Sequence, residues 1–216
     1  MIVNKLNLIQ NEIQLKITKF NFHPKIIAVS KTYEMENILP LIRHGHKDFG
    51  ENKVQEAVSK WTNIKLEYPN IKLHMIGKIQ TNKVKYVVNL FDYVHSLDNI
   101  NLARKLSLEQ KKKEKNLKIF IQVNIGNEIQ KSGISLDDLD EFYNFCTKDL
   151  NLNIVGLMCL PPNDNKAKFY FEKMNNLKET MCLDELSMGM SGDYLEAVKC
   201  GSTFLRIGSK IFGNRN

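Results

Sequence analysis

Short apolar runs of strand length alternate with stretches whose apolar residues recur every three or four positions, and the alternation persists along almost the whole chain. The first stretch is helical, with Leu6, Ile9, Ile13, Ile17 and Phe20 forming one stripe. Residues 26–30 then read as a strand, followed by a helix burying Met35, Ile38, Leu39 and Ile42. A short strand over 48–50 precedes a helix whose inner face is Val54, Ala57, Val58, Trp61 and Ile64. Strands over 73–76 and 93–96 are followed by helices near 80–90 and from Asp98 onward. Residues 119–123 are the most strand-like run in the chain. Ser135 and Asp138 make a capping pattern ahead of Leu136, Leu139, Phe142, Tyr143 and Cys146. A sixth strand over 154–158 stops before Pro161-Pro162, and Ala167, Tyr170, Phe171, Met174, Leu177 and Met181 form the next stripe. Two compressed units close the series: a strand over 186–188 with a helix through Leu195 and Val198, and a strand over 204–207 with a short helix over 209–212.

Eight strands alternating with helices predict an α/β fold with a parallel sheet, and 216 residues sit near the lower size of a (β/α)8 barrel, about 200. The expected architecture is a single (β/α)8 TIM barrel domain over 1–216 with an extra N-terminal helix. Alternation establishes a parallel sheet and not its closure, so an open doubly wound sheet is the runner-up. With 43% hydrophobic and 25% charged residues the composition is that of an ordinary globular chain. No apolar run approaches the roughly 18 residues of a membrane span. The N-terminus interleaves Asn, Gln, Lys and Glu with its apolar positions instead of the continuous apolar region of a secretion signal, so the expected location is cytoplasmic and no membrane partner is expected.

The four cysteines, Cys146, Cys159, Cys182 and Cys200, lack metal-ligand spacing and read as buried thiols. A net charge of +7 would suit nucleic acid, but the densest basic run, Lys111-Lys112-Lys113-Glu114-Lys115, has no interleaved aromatics and reads as a solvated helix end. His44 and His46 lack a third ligand for a metal, and His74 and His95, in or beside core strands, read as hydrogen-bonded packing residues.

In a parallel α/β architecture the functional groups lie where strands end. Lys31 directly follows the first apolar strand, where partial desolvation favours a nucleophilic amine able to capture an aldehyde. After the seventh and eighth strands, Ser187-Met188-Gly189-Met190-Ser191-Gly192 and Ile207-Gly208-Ser209 are small-residue loops leading into helices, the position in which barrels often hold phosphate. The first and eighth strands are neighbours in a closed barrel. An aldehyde-capturing lysine beside a phosphate cup therefore describes a pyridoxal 5′-phosphate site. Arg206, just before the second cup, would face the pyridine nitrogen, where a permanently protonated guanidinium can only donate.

Ala28-Val29-Ser30-Lys31-Thr32, Phe49-Gly50-Glu51-Asn52, His74-Met75-Ile76-Gly77, Val94-His95-Ser96, Lys131-Ser132-Gly133, the stretch 186–191 and Arg206-Ile207-Gly208 occur in this order nearly end to end. With them the chain resembles the pyridoxal-phosphate homeostasis protein family, relatives of the N-terminal barrel of alanine racemase. The resemblance implies Lys31 as the internal aldimine lysine, Ser191, Gly208 and Ser209 around the phosphate, Asn52 near the cofactor and Arg206 at the ring nitrogen. Ser209 stands where many relatives have Thr, and either residue offers a hydroxyl. It also implies a monomeric protein in vitamin B6 and amino-acid homeostasis, without established turnover and with pyridoxal-phosphate-dependent apoenzymes as recipients. The alternative is a low-activity amino-acid racemase. Tyr33, Tyr93, Tyr143 and Tyr194 could supply such an enzyme with a base, but each reads as a packing residue.

Overall fold

A computed structural model describes residues 1–17, 23–128 and 130–213. The chain opens with α1 (Ile2–Gln14), whose Leu6, Ile9 and Ile13 are buried. The expected stripe outlasts its helix: Ile17 is buried beyond the end of α1, and Phe20 lies outside the described residues. Eight strand-helix units follow. They are β1 (Lys25–Val29) and α2 (Met35–Arg43), β2 (Asp48–Glu51) and α3 (Val54–Glu67), β3 (Lys72–Met75) and α4 (Val84–Leu90), and β4 (Tyr93–Leu97) and α5 (Ile100–Lys113). The second half comprises β5 (Lys118–Val123) and α6 (Leu139–Asn144), β6 (Ile154–Cys159) and α7 (Ala167–Thr180), β7 (Glu185–Met190) and α8 (Tyr194–Lys199), and β8 (Phe204–Ile207) and α9 (Ser209–Phe212).

Each strand pairs in parallel with the next, and β8 returns to β1, with Ile26 opposite Leu205 and Ala28 opposite Ile207. The sheet is closed. That pairing eliminates the open alternative, which would leave β1 and β8 with unpaired edges. Strands sealed on both faces show why they read as continuous apolar runs. Ile27, Tyr93, Phe120, Met158 and Phe204 fill the barrel interior, whereas Ile26, Ala28, Phe49 and Leu73 face the helical layer.

Local chemistry sets several boundaries. The cap of α5 is Asn99 and not Asp98: Asn99 has the extended backbone a cap requires, and its Oδ1 accepts the Leu102 amide at 2.9 Å. Asp98 instead accepts from the Asn99 side chain at 2.7 Å. Lys111, Lys112 and Lys113 occupy the last turn of α5, exposed and well placed for the negative end of the helix. Ser135 and Asp138 bond reciprocally just before α6, which widens after Asn144 into a π turn that buries Cys146. The helix near 80–90 begins with a 3-10 turn over Thr81–Lys83. On α2, Leu41 is fully buried and Leu39 only half-buried, reversing one expected position. Cys182 is exposed, contrary to the buried reading, because it sits with φ +52° in the turn after α7; the other three thiols are buried. No helix among the described residues is long and apolar enough to cross a membrane.

Candidate functional site

The carboxyl ends of the strands enclose a cavity of about 620 Å³ at one mouth of the barrel. Lys31, Asn52, Ser191, Arg206, Gly208 and Ser209, the six residues expected to form a site, all line it. Closure brings them together, since β1 and β8 are paired and β2 lies on the other side of β1. The wall also includes Val29, Tyr33, Ile76, Gly77, Leu160, Met190 and Gly192.

Lys31 follows Ser30, whose amide donates to the Gly50 carbonyl at 3.0 Å and extends the β1–β2 pairing by one residue. Beyond it the chain turns sharply: Thr32 adopts φ +68°, a left-handed conformation costly for a β-branched residue. Its amide donates to Glu56 Oε1 at 2.6 Å, and that carboxylate also receives Lys60 Nζ at 3.0 Å. Although partial burial acts to raise the Glu56 carboxyl, the Thr32 amide and Lys60 hold it below its ordinary range.

The last two loops meet through Ser191, whose Oγ accepts the Lys210 amide at 3.3 Å. The β7–β8 register shifts between Ser187 and Met190, where Gly189 takes φ +87°, and this bend leads β7 into the Ser191 loop. A side chain at Gly189 would stand 2.5 Å from the Ala197 Cβ, so close packing on α8 as well as the backbone conformation demands glycine. The two helices differ from a long phosphate-binding helix: α8 starts only at Tyr194, and α9 is a single turn.

Arg206 reaches the cavity from β8 with its guanidinium anchored, Nη1 donating to Ser187 Oγ at 2.7 Å and Nη2 to the Cys159 carbonyl at 2.8 Å. Behind it a hydrogen-bonded row crosses the barrel. Ser187 Oγ lies 2.8 Å from His95 Nδ1, His95 Nε2 lies 3.0 Å from His74 Nδ1, and His74 Nε2 lies 3.0 Å from Asp48 Oδ1. Burial drives both imidazoles below their ordinary pKa, His95 furthest, because a proton on it would stand beside His74 and the Arg206 guanidinium, whereas Asp48 partly offsets burial at His74. Burial would raise Asp48, but the bond to His74 and the charges of His74, His46 and Lys25 hold it low.

His74 and His95 are hydrogen-bonded packing residues, as expected, but the sequence reading does not join them to Asp48 and Ser187 in a row. The available signal was one polar residue at an inward position of each of β2, β3, β4 and β7. Tyr33, expected as a packing residue, stacks on Phe212 and donates to the Gly213 carbonyl at 2.8 Å, yet it also walls the cavity. Tyr93 stacks on His74 inside the barrel, Tyr194 donates to Glu12 and Tyr143 is half-buried. His44 bonds Asn7 and His46 bonds the Asp48 carbonyl, and no metal-binding group of three occurs among the described residues.

Residues 5–216 match the family described as "Alanine racemase, N-terminal domain". The pyridoxal phosphate homeostasis protein of Vibrio alginolyticus is 40% identical, over 89% of this chain and 87% of its own length. That of Haemophilus influenzae is 36% identical over 100% and 96% respectively. Among solved structures, PipY of Synechococcus elongatus with PLP bound is 29% identical with a TM-score of 0.86, covering 99% of this chain and 100% of its own. Alanine racemase of Corynebacterium glutamicum shares the fold at 13% identity and a TM-score of 0.70, over 98% of this chain and 61% of its own. Matched nearly end to end by these relatives, and carrying their barrel, the chain belongs to the family of pyridoxal phosphate homeostasis proteins.

Proposed function

We propose that this chain binds pyridoxal 5′-phosphate in the barrel mouth, with Lys31 as the amine that engages its aldehyde, and serves the homeostasis of that cofactor rather than substrate turnover. The observation that carries the reading is the convergence of an amine, a guanidinium, two serine hydroxyls and the glycines of the last two loops, Gly192 and Gly208, on one cavity. The residues fit the group. Asn52 Oδ1 is buried without a hydrogen-bond partner among the described residues, an acceptor left for a ligand. A Cβ at Gly192 would meet nothing within 4 Å, so the backbone there borders open space. When bound, pyridoxal phosphate supplies an electrophilic aldehyde on an electron-withdrawing ring.

In this reading Ser191 and Ser209 would donate to the phosphate, Gly208 would allow close backbone approach, and Asn52 would lie near the cofactor with its unpartnered Oδ1 as an acceptor. Arg206 faces the ring nitrogen. Since a guanidinium donates and accepts nothing, that nitrogen stays unprotonated, which weakens the ring as an electron sink and supports a non-catalytic role. Tyr33, the tyrosine in the wall, donates its proton to a backbone carbonyl and is thereby disfavoured as a base. Pyridoxal-phosphate-dependent apoenzymes in the cytoplasm are the recipients this role requires. The relatives' names, and the PLP bound in PipY, support the same assignment.

The test is the visible absorption of the purified protein before and after borohydride, with peptide mass spectrometry. Expected is a reducible band and a pyridoxyl adduct on Lys31, both absent in Lys31→Ala. An adduct on another side chain overturns the assignment, and racemisation of alanine or serine at an enzyme-like rate, lost in Lys31→Ala, overturns the non-catalytic role.

A further inference from the structure

The row of polar groups crossing the barrel has one self-consistent proton arrangement, and it runs from the far mouth of the barrel to the cavity. Asp48, at the start of β2, is the part-exposed terminus; His74, His95 and Ser187 are fully buried, and Arg206 is 4% exposed. A carboxylate only accepts, so His74 carries its proton on Nε2 and donates to Asp48. A neutral His74 then accepts on Nδ1, so His95 donates from Nε2. His95 Nδ1 in turn accepts the Ser187 hydroxyl proton, leaving the Ser187 oxygen lone pairs to receive Arg206 Nη1. In the opposite tautomer of His95, Nδ1–H and Arg206 would both donate to Ser187 Oγ and a buried hydroxyl proton would lose its acceptor.

We propose that His95 is a positioning residue for Arg206, and that Asp48, through His74, fixes His95 in the tautomer that keeps Ser187 available to the guanidinium. The proposal rests on the reading that Arg206 faces the bound cofactor ring. Packing alone is a separable role. His95 stacks on Phe120 with ring centroids 4.3 Å apart and His74 stacks on Tyr93 at the same distance, contacts that an aromatic hydrocarbon at either position would keep. Such a side chain would not hold the Ser187 proton. Ser187 itself is excluded as a nucleophile: it is completely buried, and its oxygen already receives Arg206.

Two measurements decide the proposal. In the cofactor-free protein at neutral pH, imidazole nitrogen shifts by NMR are expected to show the Nε2–H tautomer for both His74 and His95, with Asp48→Ala abolishing that preference. An Nδ1–H tautomer at His95 in the wild type overturns the proposal without reference to any ligand. In the loaded protein, His95→Phe is expected to weaken retention of pyridoxal phosphate about tenfold, the size of one hydrogen bond to a charged group, and to shift the visible band. His95→Gln, whose amide can accept from Ser187 and donate to His74, is expected to restore both. Wild-type retention and an unshifted band in His95→Phe overturn the proposal, provided the wild type carries its adduct on Lys31; no adduct there defeats the underlying reading instead. Should His95→Phe fail to fold, the wild-type and Asp48→Ala imidazole shifts decide alone.

Discussion

The backbone amide of Thr32 and the carboxylate of Glu56, 24 residues apart in the chain, meet at 2.6 Å. The bond fixes the turn that follows Lys31 in a conformation a threonine otherwise avoids. Residues strained in this way persist where their surroundings over-determine them, and here α3 supplies the constraint from outside the barrel wall.

Removing that constraint frees the loop. Glu56→Ala is expected to lower stability by about 1–2 kcal/mol, the worth of a charge-assisted bond at a partly exposed site. It should also weaken pyridoxal phosphate retention several-fold. Glu56→Gln keeps an acceptor for the Thr32 amide and should recover most of both losses. Urea unfolding and cofactor dialysis measure the two effects; equal losses in both variants would show that the Lys60 pair, and not the amide bond, matters.

Stability should fall with acid, beginning near the ordinary histidine pKa. Burial, the larger influence, keeps His74 and His95 neutral in the folded protein, whereas an unfolded chain protonates both below about pH 6.5. The unfolded state then binds more protons, so stability present above that pH is lost as pH falls toward the folded-state values. The expected slope is about 1.4 kcal/mol per pH unit for each imidazole. Asp48, held low, adds a loss of the same sign at lower pH. Urea midpoints between pH 7.5 and 5 test this, and His95→Gln should flatten the curve by one imidazole's share.

The same buried row marks where the sequence stopped being legible. Strands β1 and β8 were readable to within a residue, because a strand buried on both faces leaves an apolar run that needs no partner to recognise. Lys31 and Arg206 were readable because each adjoins or lies within such a run. Ser187 falls within the strand read over 186–188 and also opens the small-residue stretch, but its role depends on Arg206 of the neighbouring β8 and on His95 of β4 across the interior. Pairwise meeting of residues 92 positions apart, as in His95 and Ser187, follows from barrel closure and has no local signature. Tyr33 illustrates the converse: its packing contacts are real, but only the closed mouth turns a packing residue into part of a cavity wall.

Gly77 should tolerate no side chain. A Cβ there would lie 2.3 Å from the Asn52 carbonyl oxygen and 2.7 Å from its Cα, and backbone atoms cannot swing aside. Gly77→Ala must therefore displace Asn52, whose buried Oδ1 is proposed to meet the cofactor. Expected are a stability loss of about 1–3 kcal/mol, as in overpacked cores, and faster loss of pyridoxal phosphate. Gly192→Ala, in open space, should leave the unfolding midpoint unchanged. A wild-type midpoint for Gly77→Ala would show that the β2 and β3 ends are looser than their packing implies.

Glu51 should be the most sensitive charged position outside the cavity. It is fully buried between β2 and α3, and its Oε1 accepts from Ser30 at 2.7 Å, Trp61 at 2.9 Å and Lys60 at 3.1 Å. Lys60 is itself 9% exposed, so deleting the carboxylate leaves a cation desolvated with only Glu56 and the Ser30 carbonyl for company. Glu51→Ala is accordingly expected to cost about 3–5 kcal/mol, more than the neutral bonds alone would explain. Adding Lys60→Met removes the stranded charge, so the double variant should be more stable than Glu51→Ala and the cycle should show coupling above about 1 kcal/mol. Strict additivity would mean that the charge pair is already neutralised elsewhere. Because Ser30 immediately precedes Lys31, the same variants should also loosen the lysine: Glu51→Ala should retain less cofactor than the double variant if the stranded ammonium, rather than the lost Ser30 bond, disturbs that strand end.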